Sequence, residues 1–182
     1  MNLPTLGRFV MPEVVGTHFL LQEGDTVADF GAGSGFFIST LANAVGQTGR
    51  VFACEIQRPL VEKLGNFART KGFQNVDPLW CDLETPGGIK ITDSTLDAGI
   101  LVNTLFLLED KVTAISEICR TLRQGGVLHV IDWTESFGGL GPVSASVVTK
   151  AAATALLESH GFVLEREYPA GDHHYGLAFR KL

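Results

Sequence analysis

Little in this chain can build a metal or disulfide framework. Its 182 residues include three cysteines, Cys54, Cys81 and Cys119, and none stands in a C-x-x-C or other metal-type spacing. An odd, scattered set suits a reducing compartment, and no metal site is expected. Positive charge is also scarce. Lys and Arg number 14 against 20 Asp and Glu, a net charge of −6, and no basic run occurs. Phosphate backbones are held by clustered cations, so no nucleic-acid partner is expected. Long apolar runs are missing as well. Pro12, Glu13 and His18 interrupt the N-terminal region. No signal peptide, transmembrane helix or membrane partner is expected, and the expected compartment is the cytoplasm.

The chain does have apolar residues, at 45%, enough for one sizeable core at this length. One domain over 1–182 is expected, with 1–23 as a lead-in. Within it, Met11–Leu21 carries apolar residues near helical spacing and Pro12 at a first-turn position. It is read as a helix that either packs on the sheet or covers a pocket, with His18 as a surface or packing residue.

The stretch Val27-Ala28-Asp29-Phe30-Gly31-Ala32-Gly33-Ser34-Gly35-Phe36-Phe37 reads as a buried strand, a glycine turn and a helix start. Glycines at alternate positions let the chain turn sharply and let a ligand approach. A helix start offers free N–H groups to whatever sits in the turn. A dinucleotide fingerprint has the spacing G-x-G-x-x-G. Here it is G-x-G-x-G, and Phe36 stands where the last dinucleotide glycine would be, which opposes an NAD-dependent oxidoreductase.

Strand and helix signals then alternate. Phe37, Ile38, Leu41, Ala42 and Val45 recur at helical spacing before Gly46. Val51–Cys54 reads as a second strand ending at Glu55, 24 positions after Gly31. A helix follows from Pro59, with Gly72 as its stop. Val76–Cys81 reads as a third strand. It contains Pro78, which belongs on a sheet edge because proline cannot donate to a ladder. Thr85-Pro86-Gly87-Gly88 breaks any helix before the fourth strand, Leu96–Asn103. A helix over Asp110–Leu122, with Val112, Ile115, Ile118 and Leu122 on one side, closes at Arg123-Gln124-Gly125-Gly126. Val127–Trp133 reads as a fifth strand with His129 in the core. The glycine-rich 135–142 is a lid or a plain crossover. Ser144–His160 reads as a helix, Phe162–Tyr168 as a sixth strand, and His173–Arg180 pairs back after the turn Pro169–Asp172.

The motif Asp29-Phe30-Gly31-Ala32-Gly33-Ser34-Gly35 resembles the first motif of class I S-adenosylmethionine-dependent methyltransferases, and the later segments resemble that family in order. The resemblance implies a Rossmann-like, doubly wound α/β fold. Its seven-stranded, mostly parallel sheet has order 3-2-1-4-5-7-6, with strand 7 antiparallel and helices on both faces. It implies S-adenosylmethionine as cofactor, bound by Asp29, Gly31, Ala32, Gly33, Gly35, Phe36, Glu55, Ile56, Asp82, Leu83 and Asn103. Glu55 would accept from the ribose hydroxyls; its local alternative is a carboxylate at a helix N-terminus. Asp82 would accept from the adenine amine with Leu83 against the ring; its alternative is a turn aspartate. Asn103, at the end of a central strand, would lie near the transferred methyl; its alternative is a strand cap.

A sixth strand reached by a helical crossover runs parallel to the others, so the tip His173-His174 falls on the edge that carries the glycine turn. At most one of the two can face the pocket, because successive strand residues face opposite ways. Asn103, His173 and His174 are the candidate catalytic residues, a histidine being able to take a proton near neutral pH. Methyl transfer by in-line displacement to a small molecule, or to an exposed protein group, is the expected activity, in a monomer or homodimer. The alternative is a non-catalytic binding protein of the same fold.

Overall fold

A computed structural model describes residues 9–182; residues 1–8 of the expected lead-in lie outside the described residues. The chain alternates strands and helices: β1 Thr26–Phe30, α2 Ile38–Val45, β2 Arg50–Glu55, α3 Arg58–Lys71, β3 Val76–Trp80, β4 Leu96–Val102, α4 Lys111–Thr121, β5 Leu122–Trp133, α5 Lys150–Glu158, β6 Phe162–Pro169 and β7 His174–Lys181, after a short α1, Pro12–Val15. The seven strands form one sheet in the order β3-β2-β1-β4-β5-β7-β6. β7 runs antiparallel to β5 and β6, and the remaining pairs are parallel. β3 is an edge strand, and Pro78 lies opposite Ala53. The missing N–H of proline therefore costs the sheet nothing on its open side.

Two apolar layers cover the sheet. On one face Val27, Val51, Ala53 and Ile100 pack with Leu41 and Val45 of α2, Leu64 and Ala68 of α3, and Val15 of α1. On the other, Phe30, Leu101 and Val130 pack with Ile115 and Ile118 of α4 and Ala153 and Leu157 of α5. Alternation along each strand sends successive residues to opposite layers. Central strands buried on both sides therefore read as continuous apolar runs.

Several boundaries differ from the sequence reading. The lead-in helix is only α1 followed by a 3-10 turn, Gly16–His18. Leu20 takes φ 54° and ends any continuation, and His18 stacks on Tyr168. α4 begins after Asp110, whose side chain caps it by accepting from the Thr113 amide. Val112 points out at 58% exposure, and Ala114 takes the buried position expected of it. β5 starts at Leu122, which pairs with Leu96 through an irregular ladder, so Gly125-Gly126 lies inside a strand. Ser144–His160 is a 3-10 turn, Ser144–Ser146, then extended chain, then α5. The Thr149 hydroxyl accepts from the Ala152 amide and sets the true helix start. His173 lies in the turn, and β7 opens at His174. The segment between β3 and β4 holds no helix; it is pinned by Arg120, which donates to the carbonyls of Ile89 and Ile91. Among the described residues, no helix is long and apolar enough to cross a membrane.

Candidate active site

The carboxyl ends of β1, β2, β3 and β4 enclose a cavity of about 370 Å³, within the range of small-molecule sites. Its wall brings together Gly31, Gly33, Glu55, Ile56, Asp82, Leu83 and Asn103. These come from four loops, each at the same edge of the sheet, where open α/β sheets hold ligands.

Glu55 organises the near end. Its Oε2 accepts from the Gly33 amide at 2.9 Å and its Oε1 from the Gln57 amide at 2.8 Å. The carboxylate therefore occupies the place in the glycine turn where a bound phosphate would sit. Three further amides of the turn are engaged: Gly31 and Ala32 donate to the Cys54 carbonyl at 2.9 Å, and Gly35 to the Ala32 carbonyl at 2.8 Å. These positions offer no free N–H, and α2 starts only at Ile38. A glycine turn filled by its own carboxylate repels a pyrophosphate. Each Glu55 oxygen retains a second lone pair, which a vicinal diol can use.

Gly31 has φ 84°, and a Cβ there would lie 2.5 Å from Thr104 Oγ1. The turn thus packs against the chain that follows β4. At Gly33 a Cβ would meet only the Gly31 carbonyl at 4.0 Å and would take up space that the cavity leaves for a ligand. Asp82 behaves locally as a turn aspartate, accepting from the Glu84 amide at 3.0 Å and the Thr85 hydroxyl at 2.8 Å. Glu84 in turn accepts from the amides of Glu109 and Asp110 and ties this loop to the start of α4. Asn103 takes φ 52°, and its Oδ1 is buried without a hydrogen-bond partner at the wall.

The charge of the site has one sign. Glu55, Asp82 and Glu84 line it, and among the described residues no Lys or Arg does. Behind the turn, Asp29 is 3% exposed, and burial, then the charge of Glu55, push its pKa up to about 7. Such a site favours a ligand with positive charge and hydroxyl groups over an anionic dinucleotide.

Other proposed residues stand elsewhere. Asp29, Ala32, Gly35 and Phe36 are not in the cavity wall. Ala32 packs in the core, while Gly35 and Phe36 line a separate depression with Val10 and Met11. Phe36 is 61% exposed. His173 and His174 lie beyond the wall, at the ends of β5 and β7. His173 pairs with Glu135 at 3.0 Å and stacks on Phe137, whereas His174 is buried against Trp133. Between them and the cavity, Asp132 accepts from the amides of Trp133 at 2.8 Å and Phe106 at 3.1 Å. Burial raises its pKa to about 6. Wall residues that the sequence reading missed are Cys54, Gln57, Leu60, Cys81, Glu84, Val102, Thr104, Leu107 and Leu108. The apolar Leu105-Phe106-Leu107-Leu108 after Asn103-Thr104 was the available signal for the last two.

Comparison with known proteins agrees with this geometry. The chain is 28% identical over 116 residues to the ubiquinone/menaquinone biosynthesis C-methyltransferase UbiE of Hydrogenovibrio crunogenus, covering 63% of this chain and 44% of that protein. It is 30% identical over 114 residues to an uncharacterized 37.1 kDa transposon protein of Streptomyces fradiae, covering 62% and 32%. These matches span less than half the length of either curated relative. Among solved structures, a SAM-dependent methyltransferase from Aquifex aeolicus superposes with a TM-score of 0.87 at 27% identity, over 96% of this chain and 91% of that one. The [4+2]-cyclase SpnF superposes at 0.78 with 17% identity, over 93% and 80%, and shows the fold alone. The family model described as "Methyltransferase domain" matches residues 21–160, more than half of the sequence, and the chain belongs to that family.

Proposed function

We propose that this protein is an S-adenosylmethionine-dependent methyltransferase acting on a small molecule. The observation that carries the reading is the glycine turn closed by Glu55 beside an acidic cavity with no basic wall residue among the described residues. The donor set suits the cofactor: acceptors for a diol at Glu55, space over Gly33, the unpartnered Asn103 Oδ1 for an N–H donor, and negative charge for a cation. When bound, the cofactor supplies an electrophilic methyl group on a sulfonium. The protein contributes position and a dry pocket. Glu55 binds and orients through lone pairs left free by Gly33 and Gln57. Leu83 and Leu108, both buried, exclude water. Above pH 7 an ionised Asp29 places negative charge behind the turn, and the Glu84 bridge ties the wall to the start of α4.

Calorimetric titration with S-adenosylmethionine and S-adenosylhomocysteine tests the reading. Micromolar binding of both is expected, weakened at least about tenfold in Glu55→Ala, which loses its ligand contacts and the Gly33 tie together. Absence of binding by either compound overturns the proposal and makes NAD the next ligand to try.

A further inference from the structure

A second cavity, of about 320 Å³, lies between the chain that precedes β1 and the strands β4 to β7, toward the amino edge of the sheet. Val127 and His129 of β5, Ala178 of β7 and Arg166 of β6 form its strand side, and Phe19 and Leu21 face them. No residue lines both this cavity and the one at Glu55.

Two groups of this cavity lack partners that such groups usually have. His129 is fully buried, and its Nε2 makes no hydrogen bond; buried polar atoms are rarely left so. The Phe19 carbonyl stands near the ring without bonding Nε2 in ordinary geometry. The other nitrogen, Nδ1, lies 3.3 Å from the Tyr168 hydroxyl. That hydroxyl has no other hydrogen-bond partner among the described residues, so its proton is assigned to Nδ1, which leaves the ring proton on Nε2 as a donor. Burial, then the charge of Arg166, hold the imidazole neutral, with its pKa lowered to about 3. The second group is Arg166. Its guanidinium donates to the His18 carbonyl and lies over the Tyr168 ring, but among the described residues no carboxylate pairs with it. The other two arginines of the cavity are paired, Arg123 with Asp97 at 2.7 Å and Arg180 with Glu165.

The sheet register brings these two groups together. His129 is opposite Ala178 across β5 and β7, and Ala178 is opposite Arg166 across β7 and β6. Directly opposed residues share a face, so the three form one row. His129 and Arg166 stand two strand spacings apart, about 10 Å, and only the methyl group of Ala178 rises between them. The row is a notch with an unanswered donor on each side. We propose that this notch is a second ligand site, and that it binds a small monocarboxylate with an apolar body. The carboxylate lies over Ala178, accepting from the Arg166 guanidinium and from Nε2 of His129, and the body rests against Val127 and Leu21. A guanidinium and a carboxylate match in geometry as well as in charge. Asp25, Asp97 and Glu165 also line the cavity, and their charge disfavours a doubly ionised phosphate. The volume suits a ligand at the small end of the usual range. The site stands whether or not the methyltransferase reading does.

Imidazole proton resonances provide the readout. The chain has five histidines, and His129→Gln identifies the resonance concerned. The probes are benzoate, benzamide of the same shape without the charge, and phenyl phosphate, each titrated into the full chain near neutral pH. Benzoate is expected to shift the His129 resonance and to bind at least about tenfold tighter than the other two. Arg166→Gln is expected to remove the preference for benzoate over benzamide, and Arg166→Lys to restore part of it. Ala178→Val fills the notch and is expected to weaken benzoate and benzamide alike. No shift at His129 with millimolar benzoate overturns the proposal. So does a preference for benzoate that survives in Arg166→Gln, a side chain at the cavity wall whose replacement leaves the core intact. Tighter binding of phenyl phosphate than of benzoate overturns it as well.

Discussion

The two ends of the carboxyl edge of the sheet satisfy their polar groups differently. At the β2 end, Glu55 and Asp82 are both engaged by the chain, through Gly33, Gln57, Glu84 and the Thr85 hydroxyl. At the β5–β7 end, His174 is buried with neither nitrogen paired, inside a cluster of rings. The first end is preorganised: its carboxylates are already held by the chain, which lowers the ordering cost of binding. The second carries an unmet demand.

The largest effect should come from breaking the preorganised end at its tightest approach. Gly31→Val adds a side chain at φ 84° into Thr104 and is expected to cost more than about 3 kcal/mol of stability, read by urea denaturation. Next comes the charge behind the turn. The pKa of Asp29 is raised from 3.8 to about 7, so the folded state holds the proton more tightly than the unfolded one. Its contribution to stability is present at low pH and is lost as pH rises from about 4 to about 7. Asp29→Asn should remove that loss, gaining up to about 4 kcal/mol at pH 8. Asp132 leaves a smaller slope of the same sign. Denaturation curves at several pH values check this. In the wild type, a cationic ligand should bind more tightly above pH 7, where Asp29 is ionised, than at pH 6. An uncharged analogue should show less of this dependence, and calorimetry at both pH values compares them. The smallest effect sharpens the contrast from the other end. His174→Phe should raise stability by about 1–2 kcal/mol without ligand, because an unpaired buried imidazole is replaced by a ring that needs no partner. A clear loss of stability in that variant would mean that the two ends are satisfied alike.

Much of the fold was legible because its signals are local. Strand runs such as Val51–Cys54, stops such as Gly72, and Pro78 on an edge strand can be read from neighbours a few residues away. The elements misread were those in which a distant partner decides. Leu122 becomes a strand residue because Leu96 is beside it. The Ser144–His160 stretch breaks where the Thr149 side chain offers a better start. At the site, Gly31, Gly33, Glu55, Asp82 and Asn103 converge as their motif positions imply. Ala32 and Gly35 do not join the wall: Ala32 packs in the core and Gly35 lines a separate depression.

The sequence alone determined an alternation of buried strands and amphipathic helices, a glycine turn, and an acidic residue at the end of the next strand. Periodicity and turn chemistry act over short spans, so these features need no knowledge of the whole. Only the tertiary structure decided that Glu55 fills its own glycine turn and that Thr104 packs against Gly31. It also decided that His174 is buried beside Trp133 with no partner. Those outcomes depend on which strand ends meet, and long-range packing sets the solvation and the partners of each polar group.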